Sequence, residues 1–144
     1  MRIVIDTSVL VRYLLRPSAA TRQLIEELWT SNSVTLVTSP ELVEELEGVL
    51  QRPKIRRYVA KEDAGALLDA VRANSILLAP LVEVPPFTRD RKDDKFVACG
   101  LSGGAAYLVT YDDDLLVLGA VGDMQTGTPE MFVRKFYSRS SSET

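Results

Sequence analysis

The chain has 144 residues, a net charge of −3 and a mean hydropathy of +0.03. This length predicts one domain that can bury a hydrophobic core without disulfides or structural metals. The absence of histidine excludes a Ser-His-Asp triad and histidine-ligated zinc, and the single cysteine, Cys99, excludes an intrachain disulfide and a cysteine-cluster metal site.

The first predicted element is a short strand, Ile3-Val4-Ile5, at the start of the chain. A continuous run of β-branched apolar residues is typical of a strand that is buried on both faces of a parallel sheet. Asp6 ends this run, and we expect Thr7 or Ser8 to cap a helix that begins at Val9. Ligands bind beyond the carboxyl ends of the strands in open α/β sheets, so Asp6 is a candidate functional residue.

The rest of the chain alternates between predicted strands and helices. Further strands are predicted at residues 34–37, 76–78, 107–110 and, weakly, 123–125, with an extension of the sheet edge at 82–84. Helices are predicted at residues 9–15, 19–29, 40–50, 54–59, 61–71, 90–101 and 113–118, and from residue 129 onward. This order predicts a three-layer α/β/α sandwich with a mostly parallel, roughly five-stranded sheet. We expect the domain to cover residues 1–137 and the serine-rich segment 138–144 to be a disordered tail.

The helix predicted at residues 40–50 carries several glutamates. Its apolar residues define a buried face, and Glu45 and Glu47 lie on the two shoulders of that face, where a side chain can reach into a cleft. Helix periodicity does not choose between these two residues. For this helix taken alone, a solvated surface is the simpler interpretation.

The helix predicted at residues 90–101 begins with a group of acids. Asp93 lines up with the apolar residues that are expected to face the sheet, and a carboxylate there is costly to bury unless it is paired or bound to a metal. Asp94 is expected to lie to the side of that face, and Lys95 to face solvent. Asp93 could also act as part of a capping box at the start of the helix. We regard Asp93 as the better candidate for a functional residue.

Three consecutive aspartates, Asp112 to Asp114, follow the strand at residues 107–110. One of them can cap the following helix, but three exceed what capping requires. With Asp6 and Asp93, they place several acids at one edge of the sheet. Carboxylates a few ångströms apart repel one another, and Mg²⁺ or Mn²⁺ is suited to ligation by oxygen alone. Because a bound ion of this kind activates water and neutralises charge on phosphoryl oxygens, the pattern indicates phosphodiester hydrolysis.

These motifs resemble those of PIN-domain ribonucleases. The resemblance covers nearly the whole chain and is carried by Asp6-Thr7-Ser8, Glu45-Leu46 with Val49-Leu50, Asp93 with Ala98, and Leu108-Val109-Thr110-Tyr111-Asp112. Within this family the chain resembles the VapC-like toxins of toxin–antitoxin pairs. In one branch of these toxins, the matching motifs are Asp90-Arg91-Lys92-Asp93-Asp94-Lys95-Phe96 and Thr128-Pro129-Glu130.

The resemblance implies a metal-dependent endoribonuclease that hydrolyses single-stranded RNA. The family's acidic quartet, which binds Mg²⁺ or Mn²⁺, is matched by Asp6, Glu45, Asp93 and Asp112. Supporting residues of the site are matched by Ser8, Thr110 and, as an additional acid, Asp114. The match therefore favours Glu45 over Glu47. The resemblance also implies a homodimer and inhibition by a small antitoxin protein that occupies the cleft.

Other interpretations of the same residues remain open. One is a non-catalytic PIN-like module that binds RNA or a protein. A less favoured one is a receiver domain, which needs a phospho-acceptor aspartate after the third strand, where this chain has Ala79-Pro80. The basic run of residues 52–57, followed by Tyr58, could hold RNA phosphates, but a solvated surface is the commoner meaning.

The sequence also gives an expectation for where the protein works. No apolar run approaches the length of a membrane span, and Met1-Arg2 leads directly into a strand rather than a secretory signal. We therefore expect the protein in the cytoplasm.

Overall fold

The structure contains the predicted sheet, with six strands. The computed structural model describes residues 1–80 and 85–142. The strands are β1 (Arg2–Ile5), β2 (Thr35–Thr38), β3 (Ser75–Leu77), β4 (Tyr107–Val109), β5 (Ala120–Val121) and β6 (Met124–Gly127). Their order across the sheet is β3-β2-β1-β4-β6-β5, and all neighbours are parallel except the antiparallel pair β5–β6. The predicted α/β fold with a mostly parallel sheet is confirmed.

Helices connect the strands and cover both faces of the sheet. They are α1 (Thr7–Leu15), α2 (Ala19–Arg22), α3 (Pro40–Leu50), α4 (Pro53–Arg56), α5 (Lys61–Ala73), α6 (Arg91–Ser102), α7 (Asp113–Leu116) and α8 (Pro129–Ser142). A π-helix, Gln23–Trp29, continues directly from α2. Among the described residues, no helix is both long and apolar enough to span a bilayer.

The side chains of β1 contribute to two separate hydrophobic clusters. Ile3 and Ile5 belong to a cluster that includes apolar residues of α1, α5 and α8. Val4 belongs to a second cluster, with Phe96 and Cys99 of α6. Burial on both faces explains why Ile3, Val4 and Ile5 of β1 are all apolar instead of alternating with polar residues. It also places Asp6, the next residue, at the end of a central strand.

The edges of the fold differ from the sequence prediction. Strand β5 was not predicted because a two-residue strand is too short to give a periodic signal; it pairs with β6 through a turn in which Gly122 has a φ of 58°. The sheet extension predicted at residues 82–84 lies outside the described residues. Helix α8 continues to Ser142, so it includes most of the segment 138–144 that was expected to be disordered, and residues 143 and 144 are outside the described residues.

A substitution in β6 tests the packing of the central strands. A Cβ atom at Gly127 would lie 2.1 Å from the hydroxyl oxygen and 3.0 Å from the Cζ atom of the buried Tyr107. Overpacking typically costs about 1–3 kcal/mol, and we expect Gly127→Ala to lower the free energy of unfolding by that amount. In the Gly127→Ala background, Tyr107→Phe should recover part of the loss because it removes the clashing oxygen. Urea unfolding of wild type, Gly127→Ala, Tyr107→Phe and the double variant measures the coupling energy between the two positions. Strictly additive changes in the free energy of unfolding would contradict this packing.

Candidate metal centre

Asp6 lies at the carboxyl end of β1 with only 4% of its surface exposed. Its Oδ2 atom accepts hydrogen bonds from the hydroxyl groups of Ser8, at 2.9 Å, and Thr110, at 2.7 Å. Burial raises the pKa of Asp6. The two hydrogen bonds lower it, and the charges of Glu45 and Asp112 raise it further. Asp6 is therefore a buried carboxylate held in place by two hydroxyls, with other acids nearby.

The same two hydroxyls also bind the backbone that follows β4. The Thr110 oxygen accepts the N–H of Asp112 at 2.9 Å, and the Ser8 oxygen accepts the N–H of Tyr111 at 3.4 Å. Each hydroxyl thus links Asp6 to the segment that carries Asp112. The expectation that Thr7 or Ser8 caps the first helix is wrong. Helix α1 begins at Thr7. The Thr7 hydroxyl donates to Glu45 and the Ser8 hydroxyl donates to Asp6, so neither side chain caps the helix.

Three aspartates converge next to this link. One carboxylate oxygen from each of Asp93, Asp112 and Asp114 lies within 4.8 Å of the others. Asp112 occupies the N-cap position of α7, and its Oδ1 atom accepts the N–H of Asp114 at 2.9 Å. Asp114 is also paired with the largely exposed Arg89, whose Nη2 lies 3.2 Å from its Oδ1. The group includes two acids of the predicted quartet and the predicted additional acid.

Asp93 is the least compensated acid of this group. It lies in the first turn of α6, is 8% exposed, and its Oδ2 atom has no hydrogen-bond partner among the described residues. Its pKa is raised to about 7, and burial is the largest cause. The charge of Asp112, a hydrogen bond with the Asp112 side chain, and the charges of Asp6 and Asp90 raise the pKa further. A buried carboxyl oxygen without a donor is unfavourable unless a proton or a cation is bound.

The neighbouring Asp94 has a different environment. It is 2% exposed, more deeply buried than the expected position at the side of the helix face. Its Oδ1 atom accepts the backbone N–H groups of Phe87, at 2.9 Å, and Thr88, at 2.7 Å. Burial alone would raise the pKa of Asp94, but these hydrogen bonds lower it below its usual value. Asp94 therefore holds the loop before α6 and does not join the group of three.

Glu45 and Glu47 are directed to different partners. Glu45 faces the centre, where its Oε2 atom accepts a 2.5 Å hydrogen bond from Thr7, and its Oε1 atom lies 2.9 Å from Nζ of Lys95. Glu47 pairs instead with Arg72 at 2.9 Å. Lys95 was expected to face solvent, and this expectation is wrong because the long lysine stem carries the ammonium group to Glu45. Thr7 and Lys95 are thus contact residues of the acidic centre that helix periodicity did not identify.

Tyr111, between Thr110 and Asp112, is anchored from the last helix. Its hydroxyl donates to Oε1 of Glu130 in α8 at 3.0 Å, and Ser18 donates to the same oxygen at 3.0 Å. The guanidinium of Arg12 lies over the Tyr111 ring, 4.7 Å from its centroid. The pKa of Glu130 is lowered, because these hydrogen bonds outweigh its partial burial. The segment that carries Asp112 is therefore held through its backbone by Ser8 and Thr110 and through the Tyr111 side chain by Glu130.

The donor set suits a hard divalent cation. Asp93, Asp112 and Asp114 offer only oxygen atoms, at separations that a single ion can bridge, and Asp6 acts electrostatically on Asp93 from the adjacent strand end. Oxygen ligands suit Mg²⁺ and Mn²⁺. Glu45 is not a member of this group of three, and both of its oxygens have partners in the protein.

Comparison with known proteins places these residues in a family context. The family model of the PIN domain matches residues 2–114, a range that contains every acid of the centre. The uncharacterized protein MJ1680 of Methanocaldococcus jannaschii is 25% identical over 145 residues, which cover 94% of this chain and 92% of that protein.

Two solved structures share the fold. VapBC2 from Rickettsia felis, bound to a DNA fragment from its promoter, has a TM-score of 0.59 and 14% identity, over 89% of this chain and 98% of the matched chain. VapC20 of Mycobacterium tuberculosis, a sarcin-ricin loop cleaving toxin, has a TM-score of 0.53 and 19% identity, over 85% of this chain and 98% of that one. At these identities the likeness concerns the fold alone.

The adjacent residues Asp93 and Asp94 provide a matched pair of variants. In metal-free buffer at about pH 7.5, Asp93→Asn should raise the free energy of unfolding by about 1–3 kcal/mol, because it removes a buried charge that Asp112 and Asp6 repel. Asp94→Asn should lower it by about 1–3 kcal/mol, because its carboxylate accepts two backbone hydrogen bonds. Mn²⁺ should then raise the Tm of wild type and Asp94→Asn, but not of Asp93→Asn. An equal response of all three proteins to Mn²⁺ would contradict the assignment of Asp93.

The raised pKa of Asp93 also predicts the direction of a pH effect. The folded protein binds this proton more tightly than the unfolded chain, in which the pKa of aspartate is about 3.9. In EDTA, stability should therefore fall as the pH rises from about 4 to about 7. Calorimetry of wild type and Asp93→Asn over this range should show a smaller decrease in Tm for the variant. If the Tm of wild type and of Asp93→Asn changed equally with pH, Asp93 would not be the group that titrates.

Proposed function

The chain belongs to the PIN domain family, and we propose that it is a metal-dependent endoribonuclease that hydrolyses phosphodiester bonds of single-stranded RNA. The observation that carries this proposal is the buried Oδ2 atom of Asp93, which has no partner in the described part of the chain and lies beside Asp112 and Asp114, near the carboxyl ends of β1 and β4. A chain without histidine has few other means of activating water for phosphodiester cleavage.

The proposed ligands of the Mg²⁺ or Mn²⁺ ion are Asp6, Asp93 and Asp112, with Glu45 as the fourth acid of the centre and Asp114 as an additional one. When bound, such an ion lowers the pKa of a water molecule and neutralises negative charge on the phosphoryl group. Ser8 and Thr110 fix the orientation of the Asp6 carboxylate through its Oδ2 atom. Thr7 fixes Glu45 in the same way. Removing a supporting hydrogen bond of this kind commonly lowers metal affinity or activity by about 10–100-fold.

A groove beside the acidic centre is suited to an RNA strand. The groove has a volume of about 720 Å³, begins at Thr7, Ser8 and Glu45, and is lined further along by basic residues. These basic residues are Arg12, Arg16, Arg52 and Lys54. Because the chain as a whole has a net charge of −3, attraction of a polyanion has to come from such a local patch. Binding through these side chains should weaken as the salt concentration rises.

The family and two proteins with the same fold support a proposal for the biological role of this chain. VapBC2 and the sarcin-ricin loop cleaving toxin VapC20 share the architecture of this chain. They support a proposal that residues 1–137 form the toxin of a toxin–antitoxin pair, acting in the cytoplasm as a homodimer and inhibited by a small antitoxin protein.

An RNA cleavage assay on the purified full chain, free of antitoxin, tests the enzymatic proposal. We expect cleavage of single-stranded RNA with Mn²⁺ or Mg²⁺ and none in EDTA. Asp6→Asn and Glu45→Gln should abolish cleavage, and Thr110→Val should reduce it by about 10–100-fold. Glu47→Gln is the matched control on the same helix, because Glu47 pairs with Arg72 away from the centre. Its activity should equal that of wild type.

The contrary outcome is also informative. A folded wild-type protein that binds Mn²⁺ but cleaves no RNA with either metal would contradict the nuclease assignment. It would favour the alternative of a non-catalytic module that binds RNA or a protein.

A further inference from the structure

Lys95 places a positive charge inside the acidic centre. Its ammonium lies 2.9 Å from Oε1 of Glu45, and each of the two side chains is only 24% exposed. The ion pair of Glu47 with Arg72 is nearly half exposed, and Arg89, which pairs with Asp114, is 92% exposed. Water and salt screen a shielded pair less than exposed ones. The Lys95–Glu45 pair is therefore better shielded than these two pairs, and it lies at the proposed site of chemistry.

The centre is divided into two halves with different charge compensation. In one half, both oxygens of Glu45 have donors, Thr7 on Oε2 and Lys95 on Oε1. In the other half, Asp93 has a buried Oδ2 atom that finds no partner among residues 1–80 and 85–142, close to Asp112 and Asp114. The described residues thus supply a cation at Glu45 and none to Oδ2 of Asp93.

This division bears on the number of ions. Two-metal nucleases hold a pair of divalent ions about 3.5–4 Å apart, which stabilise the attacking and the leaving oxygens. A second divalent ion bound to Glu45 would either displace the Lys95 ammonium or lie beside it, and two cations at that separation repel each other.

Resting on the proposed function, we infer that this centre uses one divalent ion and that Lys95 supplies the second positive charge, in the place that a second ion takes in two-metal enzymes. Lys95 is a positioning residue: it holds Glu45 and keeps a fixed positive charge next to it. The single ion belongs to the half that contains Asp93. A lysine in this role remains in place when the metal concentration is low, whereas a second ion would dissociate.

Isothermal titration of the full chain with Mn²⁺ tests the inference without relying on activity. We expect one ion per wild-type chain and two per Lys95→Met chain, because Glu45 without its ammonium becomes available to a second ion. Lys95→Arg should restore the count of one. Lys92→Met, an exposed lysine of the same helix, is the matched control and should bind one ion.

Cleavage of single-stranded RNA gives the second measurement. At low Mn²⁺ concentration, Lys95→Met should be about 10²–10³-fold slower than wild type, the usual effect of removing one electrostatic stabiliser. Lys95→Arg should retain most of the rate, and Lys92→Met all of it. Two bound ions in wild type or an unchanged count in Lys95→Met would overturn the inference. Where wild type cleaves RNA, equal rates for Lys95→Met and Lys92→Met would overturn it as well.

The two proposals can fail separately. If no protein cleaves RNA with either metal, the proposed nuclease function fails. The count of bound ions in wild type and Lys95→Met still decides whether Lys95 takes the place of an ion.

Discussion

The structure of the acidic centre depends on two hydroxyl groups that share one oxygen of Asp6. Ser8 comes from the first turn of α1 and Thr110 from the end of β4, and both donate to Oδ2. Each also accepts a backbone N–H from the segment after β4. Neighbouring parallel strands bring their carboxyl ends together in any such sheet, but these bonds fix the two ends relative to each other at the level of single atoms. The position of Asp112 is therefore a consequence of the position of Asp6.

The acids around this link are compensated to different degrees. Backbone N–H groups satisfy Asp94, the exposed Arg89 partly neutralises Asp114, and Lys95 with Thr7 satisfies Glu45. In the part of the chain that the structure describes, the Oδ2 atom of Asp93 has no comparable donor. The pKa of Asp93 is raised by burial first and then by the charges of Asp112, Asp6 and Asp90. Burial thus raises the pKa of both Asp6 and Asp93, and Asp93 also has a buried oxygen without a donor among the described residues.

Much of this arrangement could be predicted from the sequence, and the parts that could not have physical reasons. The apolar run Ile3-Val4-Ile5 and the alternation of strands with helices give the fold, and the strand-end rule identifies Asp6. The same rule left Asp112, Asp113 and Asp114 open, and the family resemblance selected Asp112. Periodicity specifies the direction of a Cα–Cβ bond but not the reach of the atoms beyond it. It therefore left Glu45 and Glu47 equivalent until the family resemblance favoured Glu45, which in the structure faces the centre. For the same reason it assigned Lys95 to solvent.

The hydrogen bond from Tyr111 to Glu130 extends the centre beyond the region that the family model matches. That match ends at residue 114, whereas Glu130 belongs to the last helix and holds the residue between Thr110 and Asp112. A shortened chain that ended with the matched region would retain all the acids but lose this brace, together with β6, which pairs with β4. The smallest piece able to preserve the spacing of the carboxylates is therefore larger than the signature by which the family is recognised. Grafting the centre onto another scaffold would have to carry this distal support with it.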